Sequence, residues 1–156
     1  LDPALPFYIM RKTGMSADEM DKALNKKSGC LGITEKYSDR RDIEQGAKAG
    51  DKLCQLSINM ESLRVKKYIG AFAAELGHVD AIVFTAGVGE NDITMREVIC
   101  HNLGNLGIKL DPLKNKVRGK ETIISTDDSR VKILLIPTNE ELMIARDTYN
   151  IVTGRA

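Results

Sequence analysis

The chain has 156 residues, of which 42% are hydrophobic and 29% charged, and its 23 basic and 22 acidic side chains give a net charge of +1. This length provides one domain or part of one, and the balanced charge excludes the basic surface of a nucleic-acid-binding protein. No apolar run approaches the length of a membrane span. The three cysteines have no metal-ligand spacing and predict reduced cytosolic thiols.

The amino-terminal half is predicted to be helical. Gly14 is predicted to end the first helix, and Ser16 and Glu19 form a capping box at the start of the second. Residues 28–32 are predicted as a glycine-punctuated turn. The last and longest helix has an apolar stripe, and small residues near its end predict burial between other elements. The predicted helices cover residues 3–12, 16–27, 42–49 and 51–76.

A strand, a glycine turn and a helix are predicted in sequence within residues 80–96, DAIVFTAGVGENDITMR. Residues 81–84 form an apolar run typical of a buried parallel strand. Gly87 and Gly89 interrupt it, and a capping box of Thr94 and Glu97 opens the next helix, whose apolar positions continue at helical spacing to residue 106. Such a junction directs free backbone N–H groups at a phosphate or nucleotide, and a plain tight turn is the alternative.

A second junction of this kind is predicted near the carboxyl terminus. Residues 121–125 and 131–136 are predicted strands, and Thr138 with Glu141 forms the capping box of a last helix. If the strands before both junctions pair in parallel, both junctions open at the carboxyl edge of one sheet, where ligands bind. Glu140 would there suit a Mg²⁺ bridging a nucleotide, and the alternative is that it only complements the helix dipole.

Several segments resemble the acetate kinase family. VFTAGVGENDITMREVIC resembles the GIGEN-type segment of that family, with Val88 in place of the usual isoleucine. IPTNEELMIARDT resembles its carboxyl-terminal signature, and KSGCLGITEKYSDRRDIE resembles its adenosine-contacting segment. LDPAL and KLDPLKNKVRGKETIIS also agree with the family, so the resemblance covers essentially the whole chain.

The resemblance implies an α/β fold. The chain is expected to be the carboxyl-terminal part of an actin-like ATPase domain of the acetate and sugar kinase, Hsp70 and actin superfamily. Its mixed sheet would carry helices on both faces and would be incomplete, because the predicted strands are too few for a well-covered sheet. Residues 1–41 would form a helical insert with the adenosine-side segment, and residues 42–156 an αβαβα core with a short connecting hairpin.

The resemblance also implies ATP and Mg²⁺ as cofactors. Glu140 corresponds to the acidic residue that supports the metal, and Arg40 would stack on the base where the family often has an apolar or aromatic residue. The residues that correspond to ATP contacts of the family are Asp39, Arg40, Arg41, Gly87, Val88, Gly89 and Asn91.

The family reaction is the reversible transfer of the ATP γ-phosphoryl group to acetate, which gives acetyl phosphate and ADP and serves acetyl-CoA biosynthesis. The resemblance implies a cytoplasmic homodimer that acts on small molecules, without nucleic acid or membrane. The chain resembles roughly the final two-fifths of such an enzyme, and the family's phosphate loop, catalytic arginines, aspartate and histidines are absent from it. We therefore expect no catalytic residue in this chain, no activity from it alone, and stable folding only with another chain or the missing amino-terminal segment.

Three alternatives remain at the level of sequence. A propionate or butyrate kinase of the same family would share these motifs. A dinucleotide-binding oxidoreductase is less favoured, because Asp92 stands where the third glycine of G-x-G-x-x-G belongs. A non-catalytic nucleotide-binding or dimerisation module is the third, since the small-residue helix could form a dimer surface.

Overall fold

A computed structural model of the protein describes residues 1–155, which divide into two compact units, Leu1–Glu61 and the residues from Ser62 onward. The first unit is helical. It contains α1 (Ala4–Thr13), α2 (Ala17–Lys26), α3 (Gly29–Thr34), α4 (Arg40–Lys48) and the first part of α5 (Lys52–Leu76).

The predicted end of the first helix and the predicted start of the second are confirmed. Helix α1 ends at Gly14, which has a φ of 76° and donates its N–H to the Met10 carbonyl oxygen. At the start of α2 the Ser16 N–H donates to Glu19 Oε2 at 2.8 Å, and the Glu19 N–H donates to Ser16 Oγ at 3.3 Å. Local chemistry therefore determines where α1 ends and where α2 begins.

The prediction of a turn over residues 28–32 is wrong, because this segment begins helix α3. Gly29 takes a φ of 64° at the start of the helix, and Glu35 takes a φ of 64° at its end. Between them Thr34 is buried, and its hydroxyl donates to the Tyr37 carbonyl oxygen at 2.7 Å. These contacts hold a helical turn in a segment whose glycines alone predict a break.

Helix α5 buries a different face from the one its leucines indicate. The predicted apolar stripe stays half exposed (Leu53, Leu56, Met60 and Leu63). The buried positions are Cys54, Ser57, Ile58 and Ser62. Small side chains on this face allow close packing, since a Cβ added at Gly46 in α4 would lie 2.6 Å from Cys54 Sγ. No helix among residues 1–155, including the 25-residue α5, is both long and apolar enough to cross a membrane.

The second unit alternates strands and helices around a small mixed sheet, which confirms the predicted α/β class. Its strands stand in the order β1-β3-β2, with β1 parallel and β2 antiparallel to β3. Helix α7 and a following 3₁₀ helix replace the longer helix predicted to continue through residue 106. The elements are β1 (Ala81–Phe84), α6 (Ala86–Asn91), α7 (Ile93–Cys100), the 3₁₀ helix (Gly104–Leu106), β2 (Thr122–Ile123), β3 (Lys132–Leu135) and α8 (Glu140–Thr153).

The core of this unit is centred on β3. Ile133 and Leu135 are fully buried there, and Ile82 and Phe84 of β1 pack against the same cluster. The remaining members of the buried cluster are Cys100, Ile108, Ile124 and Val131. Burying such side chains stabilises the fold by roughly 1.5–3 kcal/mol each.

The prediction that β1 and the end of α5 are buried is wrong for this chain. Strand β1 is an edge strand, so only one side of it is paired and Val83 is 51% exposed. On α5, Phe72 and Leu76 are 61% and 68% exposed. A groove of about 310 Å³ runs between these elements and is lined largely by apolar side chains. Apolar edges of this kind favour association with further protein surface.

Candidate functional site

The carboxyl ends of β1 and β3 lie side by side. Phe84 stands opposite Leu135 in the parallel register, and the Ile136 N–H donates to the Phe84 carbonyl oxygen at 3.0 Å. The junctions that follow the two strands therefore leave the same edge of the sheet, where ligands bind in open α/β folds. The parallel arrangement on which the predicted meeting of the two junctions depends is confirmed.

The glycine segment forms the short helix α6 and not the open turn that its glycines predict. The reversal of direction after β1 is made instead by Ala86, which adopts a φ of 57°. This left-handed conformation costs a residue with a Cβ about 1–2 kcal/mol. Because Ala86 supplies the bend, neither Gly87 nor Gly89 needs a positive φ.

The two glycines of α6 have different surroundings. A Cβ added at Gly87 would meet no atom within 4 Å, so the backbone of this residue faces open space. A Cβ added at Gly89 would lie 3.2 Å from the carbonyl carbon of Phe84. The absence of a side chain at Gly89 therefore lets α6 pack directly on the end of β1, and Val88 between the glycines is 42% exposed.

The end of α6 and the start of α7 are closed by two polar side chains. Asn91 is exposed, and its Nδ2 donates to the Gly87 carbonyl oxygen at 3.1 Å. Asp92 caps α7 by accepting the Met95 N–H on Oδ1 at 2.7 Å. The predicted Thr94 capping box is wrong, because the cap lies two residues earlier and Thr94 is already inside the first turn.

Arg96 is a completely buried arginine whose role the sequence did not reveal. Nη1 donates to the carbonyl oxygens of Gly89 and Glu90 at 2.8 and 3.0 Å. Nε donates to Asn115 Oδ1 at 2.7 Å, and Nη2 donates to the carbonyl oxygens of Asn115 and Val117 at 2.9 and 2.7 Å. Burial lowers the pKa of Arg96, and these acceptors compensate its buried charge. The side chain thereby joins the end of α6 to residues 115–117.

One sequence signal could have identified Arg96. It lies between Met95 and Ile99 on a short amphipathic helix, and it shares the buried face with Cys100 four residues later. An arginine on a buried face is rare unless its donors are satisfied. The sequence therefore carries a hint of a buried network, although it does not identify the partners.

The start of α8 is tied to α6 by Glu90 and Thr138, neither of which was predicted to be a site residue. The Thr138 N–H and hydroxyl both donate to Glu90 Oε1, at 2.7 and 3.0 Å. The bond from the Thr138 N–H lowers the pKa of Glu90. The predicted capping box of Thr138 and Glu141 is wrong, because Thr138 is bound to Glu90 and Asn139 caps the helix, accepting the Leu142 N–H at 3.0 Å.

Glu140 is the first residue of α8 and is exposed at this edge of the sheet. Within residues 1–155 no three His, Cys, Asp or Glu side chains come together as a metal-binding cluster. A lone exposed carboxylate nevertheless suits Mg²⁺, which keeps several waters and is commonly held by one or two carboxylates together with substrate phosphates. The donor set at Glu140 therefore fits a nucleotide-bound Mg²⁺ better than an ion held by protein alone.

The predicted adenosine-side segment lies in the first unit, where Asp39 caps α4. Asp39 Oδ1 accepts the Arg41 N–H at 2.8 Å, and Oδ2 accepts from Arg41 Nη2 at 2.7 Å. These bonds lower the pKa of Asp39 to about 2. The Arg41 side chain is 90% exposed, whereas that of Arg40 is 19% exposed and lies 3.1 Å from the carboxylate of Glu61 and 3.6 Å from that of Glu44. Of these two arginines, Arg41 is therefore the exposed one.

The predicted site residues fall into two groups, one in each unit. The first unit contains Asp39, Arg40 and Arg41. The second unit contains the remaining residues, which the sheet and the Glu90–Thr138 link connect to one edge: Gly87, Val88, Gly89, Asn91 and Glu140.

Comparison with known proteins gives consistent matches. Residues 1–146 match the model of the acetokinase family. The acetate kinase of Thermotoga maritima is 59% identical over 155 residues, which are 97% of this chain and 38% of that relative. The chain thus spans well under half the length of this relative.

Solved structures agree with the sequence match. The crystal structure of Porphyromonas gingivalis acetate kinase has a TM-score of 0.89 and 43% identity, covering 97% of this chain and 38% of that one. The crystal structure of a propionate kinase from Francisella tularensis has a TM-score of 0.84 and 41% identity, covering 93% of this chain and 37% of that one. The fold is therefore that of the corresponding part of these kinases.

Proposed function

Because this chain belongs to the acetokinase family, we propose that it is the carboxyl-terminal, nucleotide-binding part of an acetate kinase. The whole enzyme would transfer the γ-phosphoryl group of ATP reversibly to acetate, giving acetyl phosphate and ADP. The observation that carries this proposal is the shared sheet edge, at which open backbone at Gly87 and a free carboxylate at Glu140 follow neighbouring parallel strands.

In this proposal the α6 segment binds the phosphates of the nucleotide. Gly87 has no side chain and no neighbour over it, so a phosphate can approach its backbone closely. Val88 and Asn91 are exposed beside it and would line the ATP site, whereas Gly89 would act indirectly, by seating α6 on β1. These residues bind and orient the nucleotide and do not themselves react.

Glu140 would hold Mg²⁺, directly or through water, against the nucleotide phosphates. The bound ion would neutralise phosphate charge as the phosphoryl group moves. Asp39, Arg40 and Arg41 would contact the adenosine moiety. The exposed Arg41 guanidinium, held by Asp39, is available for that contact. Arg40 would stack on the base while keeping its ion pairs with two carboxylates. The functional division between residues 1–41 and 42–156 is part of this proposal.

The acceptor could also be propionate, because the Francisella tularensis propionate kinase has the same fold over this part of the chain. Residues that this chain shares with both kinds of kinase cannot select between their acceptors. Turnover of the full-length enzyme with acetate, propionate and butyrate decides among them, and we expect the highest kcat/KM with acetate.

The proposed partners follow from the exposed apolar surfaces. The unpaired edge of β1 and the exposed end of α5 would be covered by the amino-terminal segment of the enzyme or by a second subunit of a cytoplasmic homodimer. The expectation that residues 1–156 alone neither fold stably nor catalyse phosphoryl transfer stays a prediction.

Replacing Gly87 by valine in the full-length enzyme is expected to raise the Kd for ADP roughly tenfold, which corresponds to about 1.4 kcal/mol. The branched side chain would occupy space now open to the phosphates, and its Cβ would meet no protein atom within 4 Å. Calorimetric titration with MgADP measures the change.

Gly104→Val is the matched control for this prediction. A Cβ at Gly104 also meets no atom within 4 Å, but this glycine precedes Ile108, which pairs with Val131 at the opposite end of β3. The control should bind ADP as the unmodified enzyme does. Unchanged affinity in a folded Gly87→Val enzyme would mean that phosphates do not bind at α6.

A further inference from the structure

Glu90 is a junction between three parts of the second unit. Its carboxylate Oε1 accepts both the N–H and the hydroxyl of Thr138, at 2.7 and 3.0 Å. Its carbonyl oxygen accepts Arg96 Nη1 at 3.0 Å and the Gly119 N–H at 3.3 Å. The backbone of Glu90 is therefore held in place by Arg96 and Gly119, while its side chain binds Thr138.

Thr138 lies two residues before Glu140, the proposed metal-binding residue. Thr138 is followed by Asn139, which caps α8, and by Glu140, which is the first residue of that helix. Hydrogen bonds to a carboxylate are stronger than those between neutral groups, and two donors from one residue fix its position and orientation. The position of Glu140 relative to α6 thus depends on a contact two residues before it.

We propose that Glu90 is a positioning residue for the metal-binding end of the nucleotide site: by holding Thr138, it sets the carboxylate of Glu140 relative to the backbone at Gly87. This inference rests on the proposed function, because the hydrogen bonds between Glu90 and Thr138 affect the metal site only if Glu140 binds the metal. Partners that orient a metal ligand typically change metal affinity or activity about 10–100-fold when they are removed.

Two other roles for Glu90 make different predictions. As a direct metal ligand it would need its negative charge, so glutamine could not replace it. If its role were purely structural, replacing Glu90 would lower the stability of the fold and leave the Mg²⁺ dependence unchanged. As a positioning residue it needs an acceptor oxygen that faces Thr138, which glutamine also provides.

The experiment compares Glu90→Ala, Glu90→Gln, Thr138→Val and Thr138→Ser in the full-length enzyme. The concentration of Mg²⁺ at half-saturation is measured by calorimetric ADP titration and by acetyl phosphate formation. Glu90→Ala should raise it about tenfold, with kcat at saturating Mg²⁺ within about twofold of the unmodified enzyme. Glu90→Gln should have a half-saturating Mg²⁺ concentration close to that of the unmodified enzyme. Thr138→Val should raise this concentration by less than Glu90→Ala does, and Thr138→Ser should leave it unchanged.

Amide hydrogen exchange of residue 138 gives a readout that does not depend on activity. Glu90→Ala should speed exchange of the Thr138 N–H about tenfold, as expected for loss of one hydrogen bond. Combining Glu90→Ala with Thr138→Val should add nothing to Glu90→Ala alone, because both changes remove the same contact.

The proposal is overturned if Glu90→Gln is as defective as Glu90→Ala, which would identify a direct ligand. It is also overturned if the variants have lower melting temperatures but an unchanged Mg²⁺ requirement, which would identify a purely structural role. If the unmodified enzyme neither binds MgADP nor forms acetyl phosphate, the proposed function itself fails. Amide hydrogen exchange of the Thr138 N–H separates the two failures, because it reports the hydrogen bond to Glu90 in any folded protein, whether or not nucleotide binds.

Discussion

Replacing Glu140 by alanine in the full-length enzyme is expected to lower turnover about 100-fold and to raise its Mg²⁺ requirement. The carboxylate is exposed at the start of α8, on the sheet edge that also carries the open backbone of Gly87. Mg²⁺ at nucleotide sites is commonly held by one or two carboxylates together with phosphates and water, so the loss of this carboxylate should weaken binding of the ion. Initial rates measured over a range of Mg²⁺ concentrations give both quantities.

Glu141 provides the matched control, because both glutamates lie in the first turn of α8. Both therefore interact favourably with the helix dipole, which is worth about 0.3–1 kcal/mol of stability. Glu141→Ala should show that small loss of stability and an unchanged Mg²⁺ requirement. Equal and small effects of the two substitutions would mean that Glu140 serves only the helix, and the metal site would have to be sought elsewhere.

Replacing Arg96 by methionine is expected to destabilise the protein by about 3–5 kcal/mol. Methionine fills much of the volume but donates no hydrogen bond, so Asn115 Oδ1 and the carbonyl oxygens of Gly89 and Val117 lose the donor that Arg96 gives them. Each buried polar group left without a partner costs about 1–3 kcal/mol. Urea unfolding of the full-length enzyme, followed with and without ADP, measures the loss.

Arg130→Met is the control for this substitution. Arg130 is exposed and donates Nη2 to the Leu106 carbonyl oxygen at 2.9 Å, so its replacement should cost less than about 1 kcal/mol. Arg96→Lys should fall between the two, because an ammonium group keeps the charge but cannot reach acceptors spread around a guanidinium. If Arg96→Met were no more destabilising than Arg130→Met, the buried network would not hold α6 in place.

The sequence predicted those features that local chemistry determines. The Ser16–Glu19 capping box and the Gly14 helix end were recognised because all of their partners lie within a few residues. The strands β1 and β3 are recognisable from their apolar runs, whereas their parallel pairing is a condition that the sequence leaves open and the structure fulfils. The family motifs then indicated the function of these junctions.

The errors arose where contacts distant in sequence compete with local ones. Thr138 has the chemistry of a helix cap, yet it binds Glu90, which lies 48 residues away, and the adjacent Asn139 takes its place. Ala86 bends the chain where the glycines were expected to do so. The burial of β1 was overestimated because an apolar strand does not reveal from its sequence whether it lies at the edge of a sheet.

A crystal structure of the full-length enzyme with MgADP tests the central claim most directly. The account predicts phosphate oxygens within hydrogen-bond distance of the backbone at Gly87. It also predicts a Mg²⁺ bound by the Glu140 carboxylate at about 2.0–2.1 Å or through one water. A nucleotide whose phosphates lie away from both α6 and the start of α8 would contradict it.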